Sequence, residues 1–234
     1  MKPGIYYAMP DPEYRAIDAL SNSGLCAWAK GEMERSISEK AAIQGQAFHA
    51  TILEPDEAAK RIVGLEPKQK RASYEGSEDA LVLTHSEYTT LMGCYQSVKD
   101  HPTLSKLAEL ARADRQKCEV VLVWDDPATG IRCKAKVDQL TDKNMYDWKT
   151  TQSTPDGFGH SIAKFFYNVQ AAHYMSGAVA CGLELDSFRF ACVCKRKDLG
   201  HVCWLQDIDP VILSAGYSTW KAFMSMYARY GSAA

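Results

Sequence analysis

The chain has 234 residues, of which 46% are hydrophobic and 24% charged, as in an ordinary globular protein. Its formal net charge of −2 excludes an overall basic field of the kind that draws proteins to nucleic acids, although a local basic patch stays compatible with that charge. No apolar run approaches the roughly 20 residues of a membrane span, and the N-terminus lacks the apolar core of a secretory signal. We therefore expect one cytoplasmic domain over 1–234 whose eight cysteines are reduced thiols.

The first part of this domain, 1–115, is predicted to be mainly helical. Three prolines predict an irregular start over 1–20, and the letters "SNSG" at 21–24 supply N-cap residues for the first helix. Pro55 is expected to close the second helix, and 56–83 has no clear pattern. Helices are predicted over four segments: 25–33, about 36–53, 86–100 and 103–113.

The second part, 116–234, is predicted to form a core of strands and helices. A long helix over 161–182 is expected to end at Gly182, and a last helix covers about 210–229. Strand-like patterns occur in five segments: 118–124, 131–140, 144–151, 187–195 and 201–208. This order predicts an α/β (α+β) fold in which helices flank a mixed central sheet, with a helical region at the N-terminus.

The hairpin predicted between the second and third of these strands collects acidic side chains. A turn centred on residues 142 and 143 sets Asp138 directly opposite Asp147, where like charges repel each other. Lys149 shares the face of Asp147 because side chains alternate between the two faces of a strand. The hairpin therefore predicts two carboxylates and a lysine on one face of the sheet.

A third acid, Glu119, is predicted to join this face. If residue 124 pairs with residue 131 in the preceding hairpin, Glu119 lies diagonal to the first acid. One interpretation is a solvated face in which Lys134 and Lys136 are the counterions. The other is a site for a hard cation, since carboxylate oxygens suit Mg²⁺ and a neighbouring lysine can orient or deprotonate a water molecule. Such a site is suited to phosphodiester hydrolysis.

The letters "VDQLTDKNMYDWKTT" resemble the D…(D/E)-x-K motif of the PD-(D/E)xK nuclease superfamily, whose core order matches the predicted elements. The resemblance implies that Asp138 is the first acid and that Asp147, Trp148 and Lys149 form the D-x-K. It implies catalytic roles for Lys149, Asp138 and Asp147, with the two acids and the backbone carbonyl of Trp148 as metal ligands. Glu119, placed on this face by the strand register alone, is expected either to join them as a catalytic acid and metal ligand or to be a strand residue paired with a lysine.

Two further motifs resemble the RecB-like branch of this superfamily. "GQAFH" matches its G-x-x-x-H signature and implies His49 as a further metal ligand, with Gly45 expected to let its helix approach the sheet closely. "QAAHY" matches its Q-x-x-x-Y motif. Gln170 and Tyr174 project together from one helix face and are expected to contact DNA.

Within that branch, "YRAIDALSNSGL" and "AFHATILEPDE" resemble the nuclease domain of the exonuclease VIII (RecE-type) family. The resemblance implies a Mg²⁺-dependent exonuclease, with Mn²⁺ as a substitute, that degrades linear double-stranded DNA 5′→3′ from its ends in phage-type recombination. It also implies a ring-shaped homo-oligomer and a RecT-like single-strand annealing partner. Ser21 and Ser23 are expected to hold the DNA end at a helix start.

Three other interpretations compete with this one. An iron–sulfur cluster on Cys181, Cys192, Cys194 and Cys203 is not expected, because the spacing lacks C-x₂-C and two of these cysteines lie within a predicted strand. The chain is otherwise a Cas4-like or structure-specific endonuclease, or a DNA-binding module without catalysis. An intact set of acids and lysine favours an enzyme.

Overall fold

A computed structural model describes residues 1–32 and 38–231. The predicted helices over 25–33 and 36–53 extend into 33–37, which lie outside the described residues. Helices are formed by the following segments: α1 (Asp11–Ala16), α2 (Asn22–Ala29), α3 (Glu39–Leu53), α4 (Pro55–Arg61), α5 (His85–Asp100), α6 (Leu104–Ala113), α7 (Phe158–Lys164), α8 (Tyr167–Ala180) and α9 (Pro210–Tyr230).

The strands form one large mixed sheet and one small parallel ribbon. Their bounds are β1 (Gly4–Tyr6), β2 (Leu20–Ser21), β3 (Ile62–Gly64), β4 (Leu81–Leu83), β5 (Cys118–Asp125), β6 (Arg132–Leu140), β7 (Asn144–Thr151), β8 (Ser187–Cys194) and β9 (Cys203–Asp207). The large sheet has the order β1-β5-β6-β7-β8-β9, with β2 beside β6, and β3 pairs with β4. Only β2–β6 and β7–β8 are parallel pairs within the large sheet.

Helices cover both faces of the large sheet and bury a hydrophobic cluster on each. On one face, α7, α8 and α9 pack on alternate strand residues such as Met145 and Phe188. On the other face, α3, α5 and α6 pack on the residues between them, such as Trp148 and Ala191. The predicted α/β fold with a mixed central sheet flanked by helices is therefore confirmed. No helix among the described residues combines the length and apolar character that a bilayer crossing demands.

The hairpin registers decide where the acids lie. Between β6 and β7, Gln139 pairs with Tyr146, as the predicted turn requires. Asp138 and Asp147 are the next residues along the two strands, and there the Asp138 side chain accepts from the Trp148 N–H. Between β5 and β6 the predicted register is wrong by two residues, because the turn is centred one residue further along the chain, where Asp126 N–H donates to the Ile131 carbonyl. Trp124 pairs with Cys133. A shift of two keeps every side chain on its face.

The start of the chain is more regular than its prolines predicted. β1 lengthens the sheet along β5, and α1 follows directly after Pro10. Pro12 lies in the first turn of α1, where a missing N–H costs nothing because that position has no helical acceptor. Pro55 likewise begins α4, after α3 has ended at Leu53.

The long helix predicted over 161–182 is wrong as a single element. It is broken between α7 and α8, where Phe166 has φ 56° and ψ 38° in the left-handed region. The Phe166 ring packs edge-on against Phe223 of α9, with 5.9 Å between the ring centroids, so a tertiary contact holds the residue at the break. The predicted stop is confirmed. α8 ends at Ala180 and Gly182 adopts φ 80°.

Candidate active site

Asp138 of β6 lies at the centre of the site. The backbone N–H of Trp148 donates a 2.7 Å hydrogen bond to Asp138 Oδ2, which ties the carboxylate to the neighbouring strand β7. Burial raises the pKa of Asp138 to about 7, with His49 opposing the shift and the nearby carboxylates of Asp147 and Glu119 adding to it. A carboxylate in this position is readily protonated unless a nearby cation stabilises its negative charge.

His49 of α3 reaches across to both strands. Its Nε2 lies 2.8 Å from the Trp148 carbonyl oxygen and its Nδ1 lies 3.6 Å from Asp138 Oδ1. Because a carbonyl only accepts hydrogen bonds, Nε2 carries the proton and Nδ1 faces the carboxylate. Burial lowers the pKa of His49, but the charges of Asp138 and Glu119 outweigh it and the net shift is upward.

Glu119 completes this cluster from β5. The pairs on either side of it, 118 with 139 and 120 with 137, set Glu119 across from Asp138 rather than diagonal to it as predicted. One possible ligand atom from each of Glu119, Asp138 and His49 lies within 4.8 Å of the others. Glu119 has φ 52°, a left-handed conformation that costs of order 1–3 kcal/mol for a non-glycine residue.

Glu119 also has a cationic neighbour. Lys136 Nζ lies 2.6 Å from Glu119 Oε2 and 2.5 Å from Asp11 Oδ1, so it is a counterion, as the solvated-face interpretation predicted. Lys134 is not one, because its Nζ donates to three backbone carbonyls in the segment before β2. Of the two predicted counterions, only Lys136 therefore contacts the cluster.

Asp147 lies beside the cluster and is held by two other side chains. The Gln170 amide of α8 donates a 2.6 Å hydrogen bond to Asp147 Oδ1, and Lys149 Nζ lies 2.5 Å from Asp147 Oδ2. Burial lowers the pKa of Lys149, but the Asp147 charge reverses this and the net shift is upward. The structure thus brings Asp147 and Lys149 together as an ion pair, and Asp147 is not one of the three residues whose ligand atoms converge.

Tyr174 follows Gln170 by one helical turn. It is half-buried, with its ring 6.2 Å from Phe188, and burial raises its pKa well above the usual value for tyrosine. Gln170 contacts Asp147 directly, while Tyr174 is partly buried against the hydrophobic cluster. Their roles in DNA binding stay predictions.

Ser21 and Ser23 form the start of α2. Ser21 is the N-cap, and its Oγ accepts a 3.1 Å hydrogen bond from Gly24 N–H. The Oγ atoms of Ser21 and Ser23 are 3.0 Å apart. The "SNSG" cap is confirmed, and a role at a DNA end stays a prediction.

The site also contains residues that the sequence analysis did not assign. Tyr167 of α8 lies below Lys149, whose Nζ is 4.9 Å from the ring centroid. Asp11 of α1 reaches Lys136 across the N-terminal segment. Neither belongs to a motif. The aromatic run "FFY" at 165–167 was the available signal for Tyr167.

Comparisons with known proteins agree with this geometry. Residues 13–199 match a family described as a PDDEXK-like domain of unknown function (DUF3799). The chain belongs to this PDDEXK-like family. A crystal structure at 2.19 Å resolution from Eubacterium rectale, described as a candidate exonuclease, is similar in fold, with a TM-score of 0.64 at 12% identity. The similarity covers 97% of this chain and 88% of the other. No curated protein sequence matches significantly.

Membership of the PDDEXK-like family implies a divalent metal, and the residues of the cluster fit one. Two carboxylates and an imidazole nitrogen are suitable ligands for a divalent cation. The raised pKa of Asp138 and the strained backbone of Glu119 are both explained if the cluster serves an ion rather than the fold. Within the described residues, this is the one group of at least three such side chains whose ligand atoms converge.

Gly45 of the G-x-x-x-H motif does not have the predicted packing role. A Cβ built at this position meets no atom within 4 Å, so the glycine is not needed for close contact with the sheet. The expectation was wrong because the helix approaches the sheet through Phe48 and His49.

All eight cysteines are free thiols, and Cys181 donates weak hydrogen bonds to the Gly4 and Val123 carbonyls.

Proposed function

We propose that this PDDEXK-like chain is a nuclease that hydrolyses phosphodiester bonds of linear double-stranded DNA from its ends, as a divalent-metal-dependent exodeoxyribonuclease. The convergence of His49, Glu119 and Asp138 beside the Asp147–Lys149 pair carries this proposal. A module that only binds DNA has no use for a buried Asp147 next to the half-buried carboxylates of Asp138 and Glu119, which repel one another. The solvated-face interpretation accounts for Lys136 but leaves His49 and the half-buried Lys149 unexplained.

The residues of the chain divide the chemistry among them. His49, Glu119 and Asp138 would hold the metal, which when bound polarises the phosphate and activates water. Lys149 places a positive charge beside the acids, where it can stabilise the negative charge that develops on the attacked phosphate. Gln170 fixes the Asp147 carboxylate, which in turn fixes the Lys149 ammonium.

The finer properties rest on the sequence resemblance. We propose Mg²⁺ as the metal, with Mn²⁺ as a substitute, and 5′→3′ digestion by a single nuclease domain in the manner of the RecE-type family. The description of the Eubacterium rectale relative as a candidate exonuclease supports action at DNA ends. A ring-shaped homo-oligomer, a RecT-like annealing partner and work in the cytoplasm complete this proposal, the last supported by the free thiols.

A digest of one DNA in two forms tests the function. The same plasmid, linearised or covalently closed, is incubated with the chain and Mg²⁺ or EDTA. Mononucleotides released from the linear form alone, with 5′-label lost before 3′-label, support the proposal. Nicking of the closed circle would show a structure-specific or Cas4-like endonuclease. Metal-dependent binding without cleavage of either form would show a binding module.

The proposed DNA-end contact has its own test. Ser23 is the residue to change because Ser21 also caps α2 and its loss would weaken the helix. Ser23→Ala should slow digestion of a 5′-phosphorylated duplex more than of a 5′-hydroxyl duplex. Equal slowing of the two substrates would show that the serine contacts no terminal phosphate.

A further inference from the structure

The break between α7 and α8 turns two adjacent phenylalanines in opposite directions. Phe166, in its left-handed conformation, points into the fold and packs against Phe223. Phe165 points outward and is 48% exposed, although phenylalanine is ordinarily buried. Strain of this kind persists where the surrounding structure enforces it, and it is concentrated at functional sites. The break therefore holds an aromatic ring at the surface.

This ring is connected to the candidate active site through Tyr167. The Phe165 and Tyr167 ring centroids are 5.6 Å apart, with 33° between the planes. Tyr167 in turn lies under the Lys149 ammonium, with 4.9 Å from Nζ to the ring centroid. Two contacts thus lead from the proposed catalytic lysine to an exposed ring.

Cations surround the same aromatic group. Lys164 Nζ lies 5.4 Å from the centroid of Phe165, and Lys30 Nζ lies 5.2 Å from the centroid of Phe166. Both lysines are exposed. Aromatic rings interleaved with basic side chains form the usual surface for single-stranded nucleic acid, since bases stack on the rings and phosphates approach the cations.

We propose that Phe165, supported from behind by Tyr167, is a stacking platform for an unpaired base of the DNA strand next to the phosphate that is cut. This proposal rests on the nuclease function proposed above and adds how the strand is held. A stacking contact is tolerant of sequence because every base has an aromatic face. The platform would therefore hold a frayed DNA end without selecting its sequence.

Binding in Ca²⁺, in place of Mg²⁺ to prevent cleavage, tests the platform on a duplex with a short single-stranded tail. The variants are Phe165→Ala, Phe165→Leu, which keeps apolar area but loses the ring, and Phe165→Trp, which keeps a ring. Val179→Ala is the matched control, since Val179 is 70% exposed on α8 and belongs to no part of the site. Thermal melts check that each variant is folded.

The expected result is a 5- to 100-fold weaker affinity for Phe165→Ala, roughly what one lost base stack produces, with Leu close to Ala and Trp close to wild type. A tail with one abasic nucleotide, scanned over the first positions, should remove the difference between wild type and Phe165→Ala at one position only. In the Mg²⁺ digest, the variant should raise KM more than it lowers kcat.

Several results would overturn the platform. Wild-type affinity for Phe165→Ala or for Phe165→Leu would show that no ring stacks there. A deficit that no abasic position removes would show that the ring does not contact a base. A change in oligomeric mass with unchanged DNA affinity would assign the ring to a protein interface. If wild type cleaves DNA and Phe165→Ala has the same DNA affinity and cleavage rate, the stacking proposal is wrong while the proposed nuclease function stands. If wild type neither binds nor cleaves DNA, the proposed function fails with it.

Discussion

His49 and His173 show how one residue type serves two purposes in the same fold. Each places Nε2 against a backbone carbonyl oxygen, at 2.8 Å from Trp148 for His49 and at 3.1 Å from Lys134 for His173. Their second nitrogens differ. Nδ1 of His49 faces the Asp138 carboxylate, whereas Nδ1 of His173 accepts a 3.0 Å hydrogen bond from the Trp220 indole N–H.

The surroundings of each ring, rather than its backbone contact, set its charge. Carboxylates raise the pKa of His49 against the effect of burial, while burial lowers the pKa of His173 to about 4. His173 is fully buried between Trp124 and Trp220 and stabilises the fold as a neutral ring. A histidine facing acids is therefore the one to assign to chemistry, even though the Q-x-x-x-Y motif contains the other.

In the acidic site around His49, the largest effect is expected from Lys149→Ala. The loss of one positioned charge is expected to slow cleavage by about 10²–10⁴-fold. DNA affinity in Ca²⁺ should change far less, because Lys149 is proposed to act on the charge that develops only during cleavage. Lys106→Ala, an exposed lysine of α6, is the matched control. A Lys149→Ala enzyme that keeps more than half of the wild-type rate would remove Lys149 from the mechanism.

The pH dependence of the unfolding free energy tests whether His173 is a neutral ring in the folded chain. Because the pKa of His173 is about 4 in the folded chain and ordinarily 6.5, the unfolded chain binds a proton between these pH values that the folded chain does not. Stability should therefore fall as pH decreases from 6.5 to 4, by at most about 3 kcal/mol from this residue.

Urea unfolding of wild type and His173→Gln measures this contribution. Glutamine can both donate to the Lys134 carbonyl and accept from Trp220, but it does not titrate. The difference in unfolding free energy between the two proteins should narrow as pH falls towards 4. A difference that is constant with pH would show that His173 does not hold its depressed pKa.

Replacing His49 should weaken metal binding rather than destabilise the fold. His49→Gln is expected to raise the Mg²⁺ concentration for half-maximal cleavage by at least about tenfold, the lower end of the effect of perturbing a metal shell. His173→Gln is the matched control, since it replaces the same residue type outside the cluster. The same Mg²⁺ requirement for His49→Gln as for wild type would exclude His49 as a ligand.

The smallest effect is expected from removing the indole donor to His173. Trp220→Phe loses one buried hydrogen bond, which should cost about 1 kcal/mol beyond the loss of packing. It also frees Nδ1 to accept a proton, so the pH dependence assigned to His173 should become weaker. An unchanged pH dependence would mean that burial alone holds the ring neutral.

Local pattern was sufficient to predict the centre of the site. The "TDKN" turn and the alternation of β7 placed Asp138, Asp147 and Lys149, because a hairpin register follows from its turn. The break at Phe166 was not predictable in this way, since Phe-Phe carries no helix-breaking residue and the packing partner lies on α9. The positive φ of Glu119 has no sequence signal either, because it depends on neighbouring strands.

The central claim is that His49, Glu119 and Asp138 bind a divalent cation, and thermal melts with and without the metal test it most directly. Wild type should be stabilised by millimolar Mg²⁺ relative to EDTA, by about 2.7 kcal/mol if Mg²⁺ is present at 100 times its Kd. Asp138→Asn should lose this gain. Asp126→Asn, which changes a buried aspartate that caps a turn at Thr129, should keep it. An equal Mg²⁺ shift in wild type and Asp138→Asn would contradict the account.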